Sequence, residues 1–174
     1  MIIGISGKAG TGKDTIAGYL KQLDNFRTIA FADEMKQRLS EAFDIPIDYF
    51  YDRSIKDSAI NGSNTTPRAL MQFYGQSMKD IHGDDYWINI VFGKLSSSDN
   101  VIITDVRFDK EADAVLRNDG KVLVVIRDDT GLDYNDITEQ GITHRDEYFY
   151  IYNNGDLNEL QNNVEAFYET VINQ

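Results

Sequence analysis

Gly7, Gly10 and Gly12 recur at short spacing just ahead of Lys13, within the run Gly7-Lys8-Ala9-Gly10-Thr11-Gly12-Lys13-Asp14-Thr15. Glycines so placed let the backbone curl with successive N–H groups facing inward, which makes a nest for anionic oxygens. A lysine closing the nest adds a point charge, and a helix that opens there aims its positive end at the same spot. Such residues cradle the phosphates of a nucleoside triphosphate, ATP or GTP. The apolar run Ile2-Ile3-Gly4-Ile5 before it and Ile16-Ala17-Gly18-Tyr19-Leu20 after it argue against an ordinary glycine-rich turn. Gly7, Gly10, Thr11, Gly12, Lys13, Asp14 and Thr15 are therefore the candidate triphosphate-binding set. Asp14 stands where the general pattern has Ser or Thr. Asp14 or the neighbouring Thr15 could hold Mg²⁺, directly or through water, because that ion keeps several of its waters. Asp14 also suits a helix N-terminus on charge alone.

Asp105 closes the apolar run Val101 to Thr104, and Arg107 follows two residues on. A carboxylate at the end of a buried strand beside a phosphate nest orients magnesium in such enzymes, and the competing account is a turn or helix-capping aspartate. Arginine binds paired phosphate oxygens with a planar fork. Arg68, Arg127 and Arg145 border two polar insertions and are candidates for that work, with plain surface arginine as the alternative for each. Trp87, the only tryptophan, could stack on a nucleobase, although its spacing favours core packing. His82 and His144 are the only histidines and lack metal-ligand spacing.

These residues need a scaffold, and the chain alternates apolar runs with helical periodicity. Strands are expected at about 2–6, 27–32, 100–104, 121–126 and 148–152. Helices are expected from Lys13 to Leu23, with Ile16, Leu20 and Leu23 inward, and around Met35, Leu39 and Phe43. Thr66-Pro67 reads as a cap and first turn. Asp84 and Asp85 open a helix burying Ile88, Val91 and Leu95. Another helix follows Asp109, and a last one follows Asp156 with Leu157, Leu160, Val164, Phe167 and Val171 as its stripe. The alternation predicts an α/β fold with a five-stranded parallel sheet and helices on both faces. Two insertions interrupt it, a helical one at 33–95 and a lid-like one at 128–147, both after strand carboxyl ends, where ligands bind.

Composition narrows the classes. At 174 residues the chain reads as one domain, and its lack of cysteine excludes disulfides and thiolate chemistry. The net charge of −12 argues against long nucleic acid as a partner. No apolar run approaches the ~20 residues of a membrane span, and a core strand starting at residue 2 leaves no room for a cleavable signal, so a cytoplasmic setting is expected.

Nearly the whole chain resembles the deoxynucleoside monophosphate kinases encoded by tailed bacteriophages. The resemblance rests on Lys13-Asp14-Thr15, Phe31-Ala32-Asp33 with Lys36, and Pro67-Arg68-Ala69-Leu70-Met71-Gln72-Phe73-Tyr74-Gly75. It continues through Asp85-Tyr86-Trp87, Asp105-Val106-Arg107-Phe108 with Glu111, and Asn153-Asn154-Gly155-Asp156-Leu157. It implies a three-layer P-loop kinase fold in which the 33–95 insertion binds the acceptor monophosphate and the 128–147 segment is the lid. Arg68, Gln72 and Trp87 would hold the acceptor, together with Asp33, Lys36 and Lys79, the last standing where similar proteins carry arginine. Asp105 and Arg107 would lie beside the phosphates, and Asn153 to Gly155 would border the adenine of ATP. Lys13, Arg68, Asp105, Arg107, Arg127 and Arg145 would be the catalytic set, with Mg²⁺ on Asp14 and Thr15. The resemblance also admits a homodimer acting in a host cytoplasm to supply nucleotides for phage DNA synthesis. Alternatives are another small-molecule kinase, of the dephospho-coenzyme A or ribonucleotide type, or a nucleotide-dependent switch without enzymatic turnover.

Overall fold

The computed structural model describes residues 1–52, 54–60, 62–128 and 141–172, so residues 129–140 of the expected lid lie outside it. The chain forms two compact units, one from Met1–Ala30 and Leu95–Gln174, the other from Phe31–Lys94.

The first unit is a five-stranded parallel sheet built from β1 (Ile2–Ser6), β2 (Arg27–Ile29), β3 (Val101–Val106), β4 (Lys121–Ile126) and β5 (Phe149–Tyr152), in the order β2-β3-β1-β4-β5. Its central strands are apolar because both faces are covered. On one face α1 (Lys13–Leu23) and α7 (Leu157–Ile172) bring Ile16, Leu20, Leu160, Val164 and Phe167 onto Ile3, Ile5 and Leu123. Each such side chain contributes roughly 1.5–3 kcal/mol when fully buried. On the other face α6 (Asp109–Arg117) packs Val115 against Gly4 of β1. The carboxylate of Asp156 accepts hydrogen bonds from the N–H groups of Asn158 and Glu159, both at 2.9 Å, and so caps α7. β1 is central, with β3 and β2 on one side and β4 and β5 on the other, and crevices in such sheets open outside the strand ends where this order reverses.

The second unit is helical: α2 (Phe31–Phe43), α3 (Asp48–Tyr51), α4 (Pro67–His82) and α5 (Tyr86–Phe92). Its core gathers Leu39, Ile45, Phe50 and Ile60, against which Met35, Leu70 and Tyr74 pack. Thr66 accepts a hydrogen bond from the Ala69 N–H at 3.1 Å and Pro67 occupies the first turn, as the cap signal requires.

Several expectations need correction. The second strand stops at Ile29, not at residue 32, because Phe31 starts α2 and is only 4% exposed, its ring 6.3 Å from Phe92. β3 runs on to Val106, which pairs with Ser6 of β1, so Asp105 lies within the strand and not after it. The polar, aromatic stretch after Asp48 contains the short helix α3, held by the buried ring of Phe50. Leu23, Phe43 and Leu157 are exposed, and Ala17 takes the inward place expected of Leu23 on α1. Leu95 is only half-buried.

Candidate active site

On the sheet unit, the loop between β1 and α1 has the backbone a phosphate nest demands. Gly7, Gly10 and Gly12 carry φ values of 145°, 79° and 101°. A Cβ on Gly7 would come within 2.5 Å of the Val125 carbonyl oxygen, and one on Gly12 within 2.5 Å of Asn153 Nδ2. Glycine is therefore required at both places by conformation and by space. Lys13 Nζ donates to the carbonyl oxygens of Gly7 at 2.6 Å and Lys8 at 2.7 Å, which holds the ammonium over the loop. Thr11 is 2% exposed, and its hydroxyl donates to the Lys8 carbonyl at 2.9 Å. That hydroxyl thus stabilises the loop from within.

Asp14 and Thr15 are exposed on the first turn of α1. Asp14 lines a groove of about 290 Å³ with Ala17, Gly18, Lys21, Thr28 and Thr104. Among the described residues no three His, Cys, Asp or Glu side chains gather to hold a metal. Magnesium is usually held by one or two carboxylates with phosphate oxygens and water. An exposed carboxylate and hydroxyl beside Lys13 meet that requirement.

Pairing of Ser6 with Val106 sets the end of β3 beside the root of the glycine loop, so the backbone brings Asp105 and Arg107 to its flank. Both are half-buried. Glu111, 8% exposed, accepts from the backbone N–H of Arg107 at 2.7 Å and of Phe108 at 3.1 Å. It thereby closes the first turn of α6 and fixes the chain direction at Arg107.

The two later arginines differ. Arg127 is exposed directly after β4 and makes no ion pair among the described residues. Arg145 is engaged: its guanidinium pairs with Asp113 of α6, lies 3.6 Å from Glu147, and sits 5.6 Å from the centre of the Tyr148 ring. The Asp113 contact pushes the arginine further toward its charged form. Nearby, the Thr143 N–H and hydroxyl donate to the Asp109 carboxylate at 2.8 and 2.6 Å, holding that carboxyl below its usual range. Tyr150 Oη exchanges 3.0 Å hydrogen bonds with the Arg145 backbone, and His144 stacks on the Tyr150 ring. Arg145, a candidate catalytic group by resemblance, is here held beside Asp113 of α6.

On the helical unit, Arg68 and Gln72 are exposed one turn apart on α4, and Lys79 is half-buried two turns on. Arg68 makes a two-pronged contact with Asp57, Nε to Oδ1 at 2.6 Å and Nη2 to Oδ2 at 3.3 Å. The arginine depresses the Asp57 carboxyl. Asp33 accepts from Tyr51 Oη at 2.8 Å and meets Lys36 Nζ at 3.4 Å, while the Lys36 ammonium lies 3.8 Å over the Tyr51 ring. Trp87 is 4% exposed, with its indole N–H donated to the Gly75 carbonyl at 3.1 Å and Tyr86 and Tyr74 against its ring. Core packing, the account its spacing favours, describes Trp87 as it stands.

Sequence reasoning missed Asp57, Tyr51 and Asp113. Asp57 and Asp113 carry no local signal, because their partners are 11 and 32 residues away. The cluster Tyr49-Phe50-Tyr51 was a visible signal for Tyr51, an aromatic run inside a polar segment.

Comparison with known proteins adds three findings. A family model described as deoxynucleotide monophosphate kinase matches residues 45–164, which begins after the glycine loop. A protein of Acanthamoeba polyphaga mimivirus, named "Putative deoxynucleotide monophosphate kinase", is 26% identical and aligns with 99% of this chain and 94% of its own length. The crystal structure of TT1252 from Thermus thermophilus superposes with a TM-score of 0.56 at 16% identity, covering 98% of this chain and 97% of that one, a likeness of fold.

Proposed function

The chain belongs to the deoxynucleotide monophosphate kinase family, and on that premise we propose that it transfers the γ-phosphoryl group of ATP to the 5′-phosphate of a deoxynucleoside monophosphate. The products are ADP and the deoxynucleoside diphosphate. The observation that carries the donor half is the glycine loop, with three positive-φ glycines and Lys13 held over them. The 33–95 segment, with Arg68, Gln72, Asp33, Lys36 and Lys79, carries the acceptor half.

The chemistry asks little of the protein beyond placement. An acceptor phosphate with its second pKa near ~6 is already anionic at neutral pH, so no general base is needed. Lys13 and the inward N–H groups of the loop oppose the charge that grows on the β–γ bridge as the bond to the leaving group lengthens. Arg68 would grip the acceptor phosphate with its fork. The Asp57 carboxylate presents a similar pair of oxygens, and a solvent-exposed pair contributes little, so a dianionic phosphate can displace it. Asp105 and Arg107 flank the loop, and Arg127, exposed after β4, is the better candidate than Arg145 for the transferred group. Magnesium would be held by Asp14 and Thr15 with phosphate oxygens and water, where it would supply charge neutralisation. Residues 128–147 would serve as a lid that excludes water. In a phage setting the enzyme would act in the host cytoplasm, supplying precursors for DNA synthesis.

The test is an ADP-release assay with ATP, Mg²⁺ and a panel of deoxy- and ribonucleoside monophosphates. Turnover that depends on a deoxynucleoside monophosphate supports the reading. Turnover without any acceptor would identify a nucleotide switch, and turnover only with a hydroxyl acceptor would identify a different small-molecule kinase.

A further inference from the structure

We propose that Asn153 is a positioning residue for the phosphate nest, acting through the Thr11 carbonyl, and does not read the adenine base. The inference rests on the donor-site reading above.

Asn153 Nδ2 donates to the Thr11 carbonyl oxygen at 2.8 Å. Its own backbone N–H donates to the Ile126 carbonyl at 2.8 Å, extending the β4–β5 pairing by one residue. The amide is therefore held from the sheet itself and reaches the loop across 142 residues of sequence. A trans peptide directs its C=O and the following N–H to opposite sides. Holding the Thr11 carbonyl toward Asn153 thus sends the Gly12 N–H the other way, as a nest donor needs. The contact is also close: a Cβ at position 12, where φ is 101°, would lie 2.5 Å from Asn153 Nδ2 and 4.0 Å from Leu160 of α7.

Asn154 has separate work. Its Nδ2 donates to Asp128 Oδ2 at 2.7 Å and its Oδ1 accepts from the Asp128 N–H at 3.0 Å, tying the exits of β4 and β5 together. The two asparagines thus brace the turn after β5, one against the glycine loop and one against the segment after β4. A base-reading asparagine would present its amide outward, whereas the Asn153 donor faces the loop.

The test compares binding of ATP and of inorganic tripolyphosphate, which has no base, at one Mg²⁺ concentration by calorimetry. Asn153→Ala and Asn153→Leu remove the donor, the second with little loss of volume, so a packing defect shows as a difference between them. Both variants should bind ATP and tripolyphosphate roughly tenfold more weakly, the size of one lost hydrogen bond, with the acceptor KM unchanged. Asn153→Gln, which retains a donor, should recover part of the affinity for both ligands. Weakening of ATP alone would overturn the proposal in favour of a base contact, and unchanged binding of both would overturn it outright. Wild-type protein that binds neither ligand would instead remove the donor-site reading, and this inference with it.

Discussion

The glycine loop and the arginines hold their charges in opposite ways. Lys13 is tied to the carbonyl oxygens of Gly7 and Lys8, neutral acceptors within six residues of it. Arg68 and Arg145 are each tied to a carboxylate from elsewhere in their unit, Asp57 and Asp113. The two described hydrogen bonds of the lysine ammonium both go to neutral backbone carbonyls. An arginine on a carboxylate is largely neutralised until the carboxylate lets go. The glycine loop thus holds its lysine through backbone carbonyls, whereas each of these two arginines is held by a carboxylate.

The largest effect should come from breaking the backbone-built side. Lys13→Ala removes the charge that opposes the developing bridge oxygen, and the rate should fall by about 10²–10³-fold or more, as for other preorganised electrostatic donors. The described hydrogen bonds of Lys13 go to the loop's own carbonyls and not to the core, and the melting temperature should stay within a few degrees of wild type. A coupled ADP-release assay and a thermal melt on the same preparation check both. A folded Lys13→Ala enzyme with near-normal turnover would show that the nest is not where transfer occurs.

Arg68 and Asp57 sharpen the comparison by moving in opposite directions. Arg68→Ala should raise the acceptor KM and lower kcat by roughly tenfold or more, with the ATP KM nearly unchanged, because a charge-assisted fork is lost from the acceptor alone. Asp57→Ala should lower the acceptor KM a few-fold, since the arginine no longer has to leave a carboxylate. Steady-state kinetics with each substrate varied separates the two. If Asp57→Ala weakens acceptor binding instead, the pair is structural and Arg68 is not a phosphate ligand.

The same contrast explains what was legible in the sequence. A site made of backbone announces itself through glycines, because only glycine takes the φ values at 7, 10 and 12, and the strand and helix around it were readable to the residue. The parallel sheet was readable because doubly buried strands must be apolar runs. What stayed hidden depended on partners far off in the chain. Phe31 continues the apolar alternation of β2, yet its ring belongs with Phe92, so β2 ends sooner than the alternation predicts. The apolar run ends at Thr104 and so sets Asp105 just after the strand, yet pairing with β1 carries β3 on to Val106. Nothing around Arg145 in the sequence points to Asp113, 32 residues away. Periodicity reports which face is buried. It cannot report which carboxylate meets which cation.

Arg127 and Arg145 should separate rate from stability. Arg127→Ala, at an exposed and unpaired position among the described residues, should lower kcat and leave the melting temperature alone. Arg145→Ala should do the reverse, with a small loss of melting temperature and little change in kcat, because a partly exposed pair contributes little. Asp113→Ala should reproduce the Arg145→Ala melt, and the double variant should add little to either. A large kcat loss in Arg145→Ala with an unchanged melt would restore it as a phosphate ligand and remove the anchor role.

The smallest effect concerns Asp109, the other tie between the 141–148 stretch and α6. Its carboxylate accepts from the Thr143 hydroxyl and N–H, which lowers its pKa in the folded protein. A carboxyl depressed by folding contributes stability that is fully present above its unfolded pKa, near ~3.9, and is lost as pH falls through the lower folded value. Asp109→Asn cannot ionise, so it lacks this contribution at every pH. Wild type should therefore melt slightly above Asp109→Asn at pH 6–7, by about a degree or two given a partly solvated site, and the two curves should converge as pH falls through the lowered folded value. A gap that persists unchanged at low pH would mean that Thr143 is held by shape and not by the carboxylate's charge. In that case the contrast between neutral and charged anchors would stop at the arginines.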